Sequence, residues 1–208
     1  MIVFSRNVVA CRCGTDVPDE DPTASPVARS VVVEPGAKAD LARLDPEHHD
    51  PSHLEEMRER LRRGDRLVVG RLGDRVVHYF WLSLRSEQAY PSLPGCTFTL
   101  GADTGYGYDA WTHPSFRGEG IRRRTFLKEL RLLRGLGKRW EASFFVAYQL
   151  EGAIRSLGAV GIVVEPVWRI ALGADRSLVF EPLLAEAGET MWPAPSANGR
   201  VVTRSTGA

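Results

Sequence analysis

The stretch Arg117-Gly118-Glu119-Gly120-Ile121-Arg122 joins two patterned runs. Before it, Tyr106 to His113 reads as a strand and Pro114-Ser115-Phe116 as a turn. After it, Ile121, Phe126, Leu127, Leu130 and Leu133 recur at spacings of three and four, which gathers them on one face of a helix. A glycine-rich turn that feeds a helix start is a cradle for anions. Glycine lets the backbone approach a phosphate closely, the free amides of the first helical turn point at it, and the helix dipole favours negative charge there. A phosphate-bearing ligand is therefore expected at this turn.

The 208 residues, 43% of them hydrophobic, suit one globular domain with a sizeable core. The net charge of +1 and a pI near 7.8 lack the basic excess of nucleic-acid binders, so no nucleic-acid partner is expected. Arginine clusters at 58 to 66 and 122 to 124 keep a nucleic-acid-binding module open as an alternative, one that a flat salt dependence would remove. No apolar run reaches about 18 residues, so no membrane span is expected. The apolar start of the chain is broken by Arg6 and Asn7, too poor for a signal peptide, and a cytoplasmic location follows as the expectation. Three cysteines, Cys11, Cys13 and Cys96, argue against a disulfide framework. Cys11-Arg12-Cys13 lacks zinc-site spacing and reads as thiols in a mobile tail, and Cys96 as a buried or loop thiol. His48, His49 and His53, beside Asp45, Glu47 and Asp50, read as an exposed loop before a capped helix, so no metal is expected. The sequence leaves a homodimer open.

Residues 1 to 26 read as a poorly ordered lead, because the acidic, Pro-containing segment from 14 to 26 buries too little apolar area to offset ordering entropy. Residues 27 to 184 form the folded domain, and 185 to 208 a C-terminal extension similar in composition to the lead. Within the domain, 30 to 34 is a strand and 37 to 44 a short helix. Ser52-His53-Leu54-Glu55 is a capping box that starts a helix with the seam Leu54, Met57, Leu61 and ends at Gly64. Strands at 67 to 69 and 76 to 84 make a hairpin about Gly73-Asp74. A short strand follows at 97 to 100, then the strand at 106 to 113, the helix at 121 to 134, a strand at 142 to 148 and a helix at 151 to 157. Strands at 162 to 164 and 169 to 172 flank Pro166, and 177 to 180 closes the series. The order implies a mixed α/β sheet with helices on both faces and a right-handed crossover around the phosphate turn.

A P-loop needs Gly, four residues, then Gly-Lys-Ser/Thr, and the chain has no such run. A dinucleotide fingerprint needs three glycines after the first strand of a domain, whereas two glycines fall here, in mid-chain. From residue 28 to 172 the element order, and above all His113-Pro114-Ser115-Phe116-Arg117-Gly118-Glu119-Gly120-Ile121, resembles the GNAT superfamily of acyl-CoA-dependent N-acetyltransferases. The family's pyrophosphate motif is Gln/Arg-x-x-Gly-x-Gly/Ala. Arg117 and Gly120 fill its first and fourth positions, and Arg122 stands at the sixth, where a backbone amide exists whatever the side chain. Downstream, Ala153 and Gly161 fall where the family's Asn-x-x-Ser/Ala and Leu-Gly-Phe signatures place Ser/Ala and Gly. Leu150 replaces the Asn and Ile162 the Phe, and no Tyr lies near Ser156 or Leu157, where many members carry an acid.

The resemblance implies a mostly antiparallel twisted sheet of about six to seven strands with a splayed pair of central parallel strands, here 106–113 and 142–148. It implies acetyl-CoA as co-substrate, with pantetheine amides paired to the backbone of Ala110, Trp111, Thr112 and His113. The pyrophosphate would sit on the amides of Arg117, Gly118, Glu119, Gly120, Ile121 and Arg122. The reaction would be direct attack of an amine, from a small molecule or a peptide, on the thioester, with a base removing the ammonium proton. Asp109, a carboxylate inside an aromatic strand, is the candidate base, and His113 shares its face by alternation. Tyr148 or Ser156 could protonate the leaving thiolate. Arg122, Arg123 and Arg124 oppose the helix dipole, a cost that a ligand's phosphates would relieve. Tyr79, Phe80, Trp81, Tyr106, Tyr108 and Trp111 could line an acceptor pocket or simply form core. Because the Asn and Tyr are missing, an acyl-CoA-binding protein without turnover stays open as the alternative.

Overall fold

The computed structural model of the chain describes residues 8–44, 46–89, 97–172, 178–183 and 201–203. In chain order they form β1 (Val8–Gly14), α1 (Pro26–Ser30), β2 (Val32–Pro35), α2 (Lys38–Leu41), α3 (Pro51–Arg62), β3 (Arg66–Leu72), β4 (Arg75–Ser83), β5 (Glu87–Ala89) and β6 (Thr97–Thr99). Then come β7 (Thr104–Thr112), a 3₁₀ turn at Pro114–Phe116, α4 (Ile121–Gly135), β8 (Trp140–Val146), α5 (Ala147–Gly158), β9 (Val164–Leu172), β10 (Leu178–Pro182) and β11 (Val201–Thr203).

Nine strands make one sheet in the order β11-β10-β9-β1-β8-β7-β4-β3-β2, and β5 pairs with β6 apart from it. The pairs β7–β8 and β10–β11 are parallel and the rest antiparallel. The mixed, mostly antiparallel sheet and its parallel central pair follow the expected plan. The strand count exceeds the expected six to seven because β1 and β11 come from the segments read as lead and extension.

The lead is the largest departure from the sequence reading. β1 lies in the middle of the sheet, bridged to β8 from Val8↔Val146 to Gly14↔Trp140 and to β9 on its other edge. Cys11 and Cys13 are therefore core residues, not thiols of a mobile tail. Cys96 lies outside the described residues. The acidic segment that follows β1 is held by charge as well as by the buried Val17 and Ala24. Arg123 Nε donates to Asp21 Oδ2 at 2.9 Å, and Arg123 Nη2 to the Thr23 carbonyl at 3.1 Å. Arg134 meets Asp16 and Asp19. Burial alone would raise the Asp21 carboxyl, but hydrogen bonds from Thr23 and Arg123 outweigh it and hold it below the usual range.

Other boundaries move for local reasons. Asp50, not Ser52, caps α3: its Oδ1 accepts from the His53 amide at 2.9 Å, with Pro51 in the first helical position. The two strands expected around Pro166 are one, because the register shift opposite Ala10 and Cys11 accommodates the missing N–H. α5 starts at Ala147, four residues earlier than expected, which removes Tyr148 from the strand.

The helices cover both faces. On one, α2 and α3 pack Leu41, Leu44 and Met57 against Leu67, Val69, Tyr79 and Trp81. On the other, Phe126, Leu127 and Leu130 of α4 and Leu157 of α5 pack on Val9, Cys11 and Cys13 of β1. Each such side chain contributes about 2 kcal/mol by burial. α1 lies beside the start of α4, joining Ala28 to Ile121 and Val77.

The brace between lead and α4 is testable. Asp21→Asn leaves the largely buried Arg123 without its counter-ion and is expected to lower stability by about 3 kcal/mol in denaturant unfolding at neutral pH. Because the folded Asp21 binds protons more weakly than the unfolded chain does, its contribution is present at neutral pH and lost as pH falls through the carboxylate range. Asp16→Asn, at a fully exposed partner, should leave the midpoint unmoved. Equal responses of the two variants would refute the brace.

Candidate functional site

β7 stays paired with β4 from Tyr106 to Thr112, and β8 with β1 along its whole length. Between β7 and β8 the ladder is short: Thr104↔Trp140, Gly105↔Glu141 and Tyr106↔Ala142. Beyond Tyr106 and Ala142 the two strands share no bridge, so a wedge opens toward the start of α4. The expected splay is thus present. Along its β4 edge β7 carries a bulge. Trp81 opposes Tyr108 while Tyr79 opposes Trp111, and Asp109 takes a φ of 46°, unusual for a residue with a side chain. The His113 amide donates to the Val77 carbonyl at 2.9 Å, on the β4 edge. Alternation then turns the backbone groups of Thr112 and Ala110 into the wedge. Arg117 Nε donates to the Thr112 carbonyl at 3.1 Å.

At the mouth of the wedge lies the glycine turn. Gly118 and Gly120 have φ of 82° and 80°, and Gly120 caps α4 in the left-handed region without a side-chain bond. No acidic residue occupies the first turn of α4. Among the described residues, the backbone N–H groups of 118 to 123 have no acceptor, and the Ser25 hydroxyl, donating to the Glu119 carbonyl at 2.9 Å, fixes the loop. Six amides around a helix start make the anion cradle. The Arg117 amide, expected among the cradle groups, is taken by the Pro114 carbonyl at 3.2 Å, so the free amides run from 118 to 123 instead of 117 to 122.

The arginines behave otherwise. Arg122 runs inward, over the Phe126 ring at 4.7 Å, and its Nη1 donates to Glu129 Oε2 at 3.1 Å. Arg123 binds Asp21, and Arg124 donates to the carbonyls of Ala28 and Val31. The charge that the sequence reading left for a ligand is neutralised by the protein itself. What Arg122 offers the cradle is its amide, not its guanidinium.

The candidate proton-transfer groups divide. Asp109 and His113 both lie on the α3 face, Asp109 as the bulged residue beside Tyr108. Asp109 is ion-paired with Arg60, a buried guanidinium that also binds Glu56 and lies over the Trp81 and Tyr108 rings. The His113 ring packs edge-on against Trp111 and Phe116, its Nδ1 accepts from the Ser115 amide at 3.1 Å, and Arg75 lies 2.6 Å from its Nε2. Tyr148, in the first turn of α5, is 78% exposed, and Ser156 is an exposed residue of the same helix. No hydrogen bond among the described residues joins either to Asp109 or His113. Of the aromatic candidates, Trp111 stacks on Tyr79 and Tyr108 on Tyr106 along the α3 face. Tyr79, Phe80, Trp81 and Tyr106 are buried core.

Several site residues were not singled out from sequence. His78, fully buried on the α4 face, bridges Thr112 Oγ1 through Nδ1 and Thr125 Oγ1 through Nε2, each at 2.9 Å. Because the Thr125 hydroxyl donates to the Arg122 carbonyl, Nε2 carries the imidazole proton and Nδ1 accepts. Burial, and then Arg122, hold its pKa well below the usual value, so it stays neutral. Glu129 of α4 and Glu141 of β8 are fully buried on the same face, next to Gly107. The position of Glu129, three after Phe126 and four before Leu133, already places it on the apolar seam of α4.

Neither a family model nor a curated protein sequence matches the chain. Solved structures do. An acetyltransferase of the GNAT family from Colwellia psychrerythraea aligns with 78% of this chain and 54% of its own, at 10% identity and a TM-score of 0.51. The GCN5-related glucosamine N-acetyltransferase region of a fungal multi-domain GH3 β-N-acetylglucosaminidase aligns with 78% of this chain and 20% of its own, at 16% identity and a TM-score of 0.51. An aminoglycoside 6'-N-acetyltransferase from Acinetobacter haemolyticus covers 61% of this chain and 89% of its own, at 17% identity and a TM-score of 0.45. With a parallel central pair that splays over a glycine-capped crossover helix, the chain has the GNAT superfamily fold.

Proposed function

We propose that the protein transfers an acetyl or other short acyl group from acyl-CoA to an amine by direct attack. The observation that carries this reading is the run of β7 backbone without a β8 partner, leading from the wedge to a cradle of six free amides. A thioester with a diphosphate at one end and an amide-bearing arm matches both parts. The diphosphate takes the amides of 118 to 123, and the arm pairs with the inward backbone groups of Ala110 and Thr112. The amine approaches from the α3 face, where Asp109, His113 and the Tyr79–Trp111 stack lie. One structure of similar fold is described as a glucosamine N-acetyltransferase region, which supports an amine acceptor. Holding both substrates in the wedge removes most of the entropic cost of their meeting.

Arg60 already engages Asp109, which suits a carboxylate that binds the incoming ammonium better than one that takes its proton. The exposure of Tyr148 and Ser156 favours a second reading, a protein that holds acyl-CoA without turnover. Acetyl-CoA assayed with an amine panel, beside CoA binding by calorimetry, separates the two. Release of CoA with at least one amine is expected, whereas tight binding with no release across the panel selects the binding protein.

Gly120→Val should weaken CoA binding at least tenfold, since the left-handed cap cannot hold a branched side chain without moving the amides. Unchanged affinity in a folded variant would count heavily against the cradle. Asp109→Asn should raise the KM for the amine about tenfold while kcat changes less. A loss confined to kcat would return the base role to Asp109.

A further inference from the structure

Glu129 and Glu141 meet beneath the apex of the wedge. Glu129 Oε1 and Glu141 Oε1 are buried without a hydrogen-bond partner, and a Cβ at Gly107 would collide with both. Gly107 is the first β7 residue past the last bridge to β8. Its backbone is among the groups that favour the charged form of the Glu141 carboxyl. The pair thus lies beneath the wedge apex, closed off on the α4 face.

The groups facing the pair come from four elements. From α4, Arg122 Nη1 binds Glu129 Oε2 at 3.1 Å; from β8, Ser143 Oγ lies 3.3 Å from Glu141 Oε2. From β1 come Cys13 and Cys11, and from β7 the Gly107 backbone; His78 of β4 faces Arg122. One guanidinium faces two carboxyls sealed from water, so the pair keeps a proton. Burial raises both carboxyls, the charge of Glu129 raises Glu141 further, and Arg122 pulls both back. The Cys11 thiol is itself pushed up to about 12, by burial and by Glu141, so it holds its own proton.

Glu129 lies eight residues along α4 from Ile121, about 12 Å. Gly107 lies five residues back along β7 from Thr112, about 17 Å. A thioester anchored by its diphosphate in the cradle and extended along the open β7 edge brings its sulfur end down to this level. Resting on the acyl-transfer reading, we propose that Glu141, sharing one proton with Glu129 beneath the wedge apex, protonates the departing thiolate and recovers a proton from the attacking amine. The new C–N bond forms as the C–S bond breaks. The sulfur leaves with the bond pair and takes the carboxyl proton, and the nitrogen, cationic after attack, returns a proton to the carboxylate. No further reactant is needed.

The test uses the full chain with CoA, acetyl-CoA and glucosamine, or whichever amine of a panel reacts fastest. Infrared difference spectra at neutral pH should show a protonated-carboxyl stretch that shifts when CoA binds and disappears in Glu141→Gln. An absent band, or one that CoA leaves unmoved, overturns the assignment, and this readout stands on wild type alone should the variant fail to fold. In a folded Glu141→Gln, CoA affinity should stay within threefold while kcat falls about a hundredfold. The alkaline fall of wild-type kcat, where the pair loses its proton, should vanish with it. A near-normal kcat with the wild-type pH profile overturns the role of Glu141 and leaves acyl transfer standing. Wild type that binds CoA and acetylates nothing overturns both.

Discussion

Past Tyr106 and Ala142 two parallel strands stop exchanging hydrogen bonds while each stays zipped to its outer neighbour. Buried backbone groups rarely go unpaired, so parting two central strands requires other partners along the new edges. The chain supplies some from side chains. Arg117 reaches back to the Thr112 carbonyl near the mouth, and the Glu141 carboxyl lies against Gly107 at the apex. Between these, the edge groups of Ala110 and the bulge at Asp109 face the gap. The ladder cannot simply close, because β4 and β1 hold the two strands apart from outside.

That constraint gives β1 its importance. Without it, β8 would have a free outer edge and α4 would lose Val9, Cys11 and Cys13 from beneath it. Residues 15 to 31 then continue to the cradle itself. Ser25 holds the Glu119 carbonyl, Asp21 neutralises Arg123, and Arg124 closes on the last carbonyls of α1. Three arginines at a helix start oppose its dipole. Here each is tied to an acceptor outside the cradle, which leaves the amides clear.

What the sequence shows and what it hides divide along range of interaction. The helix from Ile121 and the hairpin about Gly73-Asp74 depend on neighbours within a few residues, so periodicity and turn chemistry reveal them. The cradle is equally local, since two glycines and a helix start determine it. β1 is short, interrupted by Arg12 and followed by an acidic tract, and nothing within the segment signals that β8 and β9, over a hundred residues on, complete it. The partner of Asp21 is likewise about a hundred residues away. Asp109 stands out in its strand, but that Arg60 claims it depends on how α3 crosses the sheet. Glu129 was legible in principle, as a charge on an apolar seam. Its partner Glu141 was not, because a strand's face is known only once its neighbours are.

The polar network under α4 links these features physically. The buried carboxyls at 129 and 141 carry a desolvation cost that apolar side chains would avoid. His78 ties the end of β7 to Thr125, whose hydroxyl holds the Arg122 carbonyl in the first turn of the helix. The guanidinium of that same residue holds Glu129 against Glu141. One side chain thus has its amide in the cradle and its charge beneath the wedge apex, and the imidazole beside it is kept neutral partly by that charge. On the proposed reading, an anion settling on the amides would draw on the field of the same guanidinium that pulls the carboxyl pair toward its charged form. The two ends of the site are joined through a single residue, which a purely apolar interface could not do.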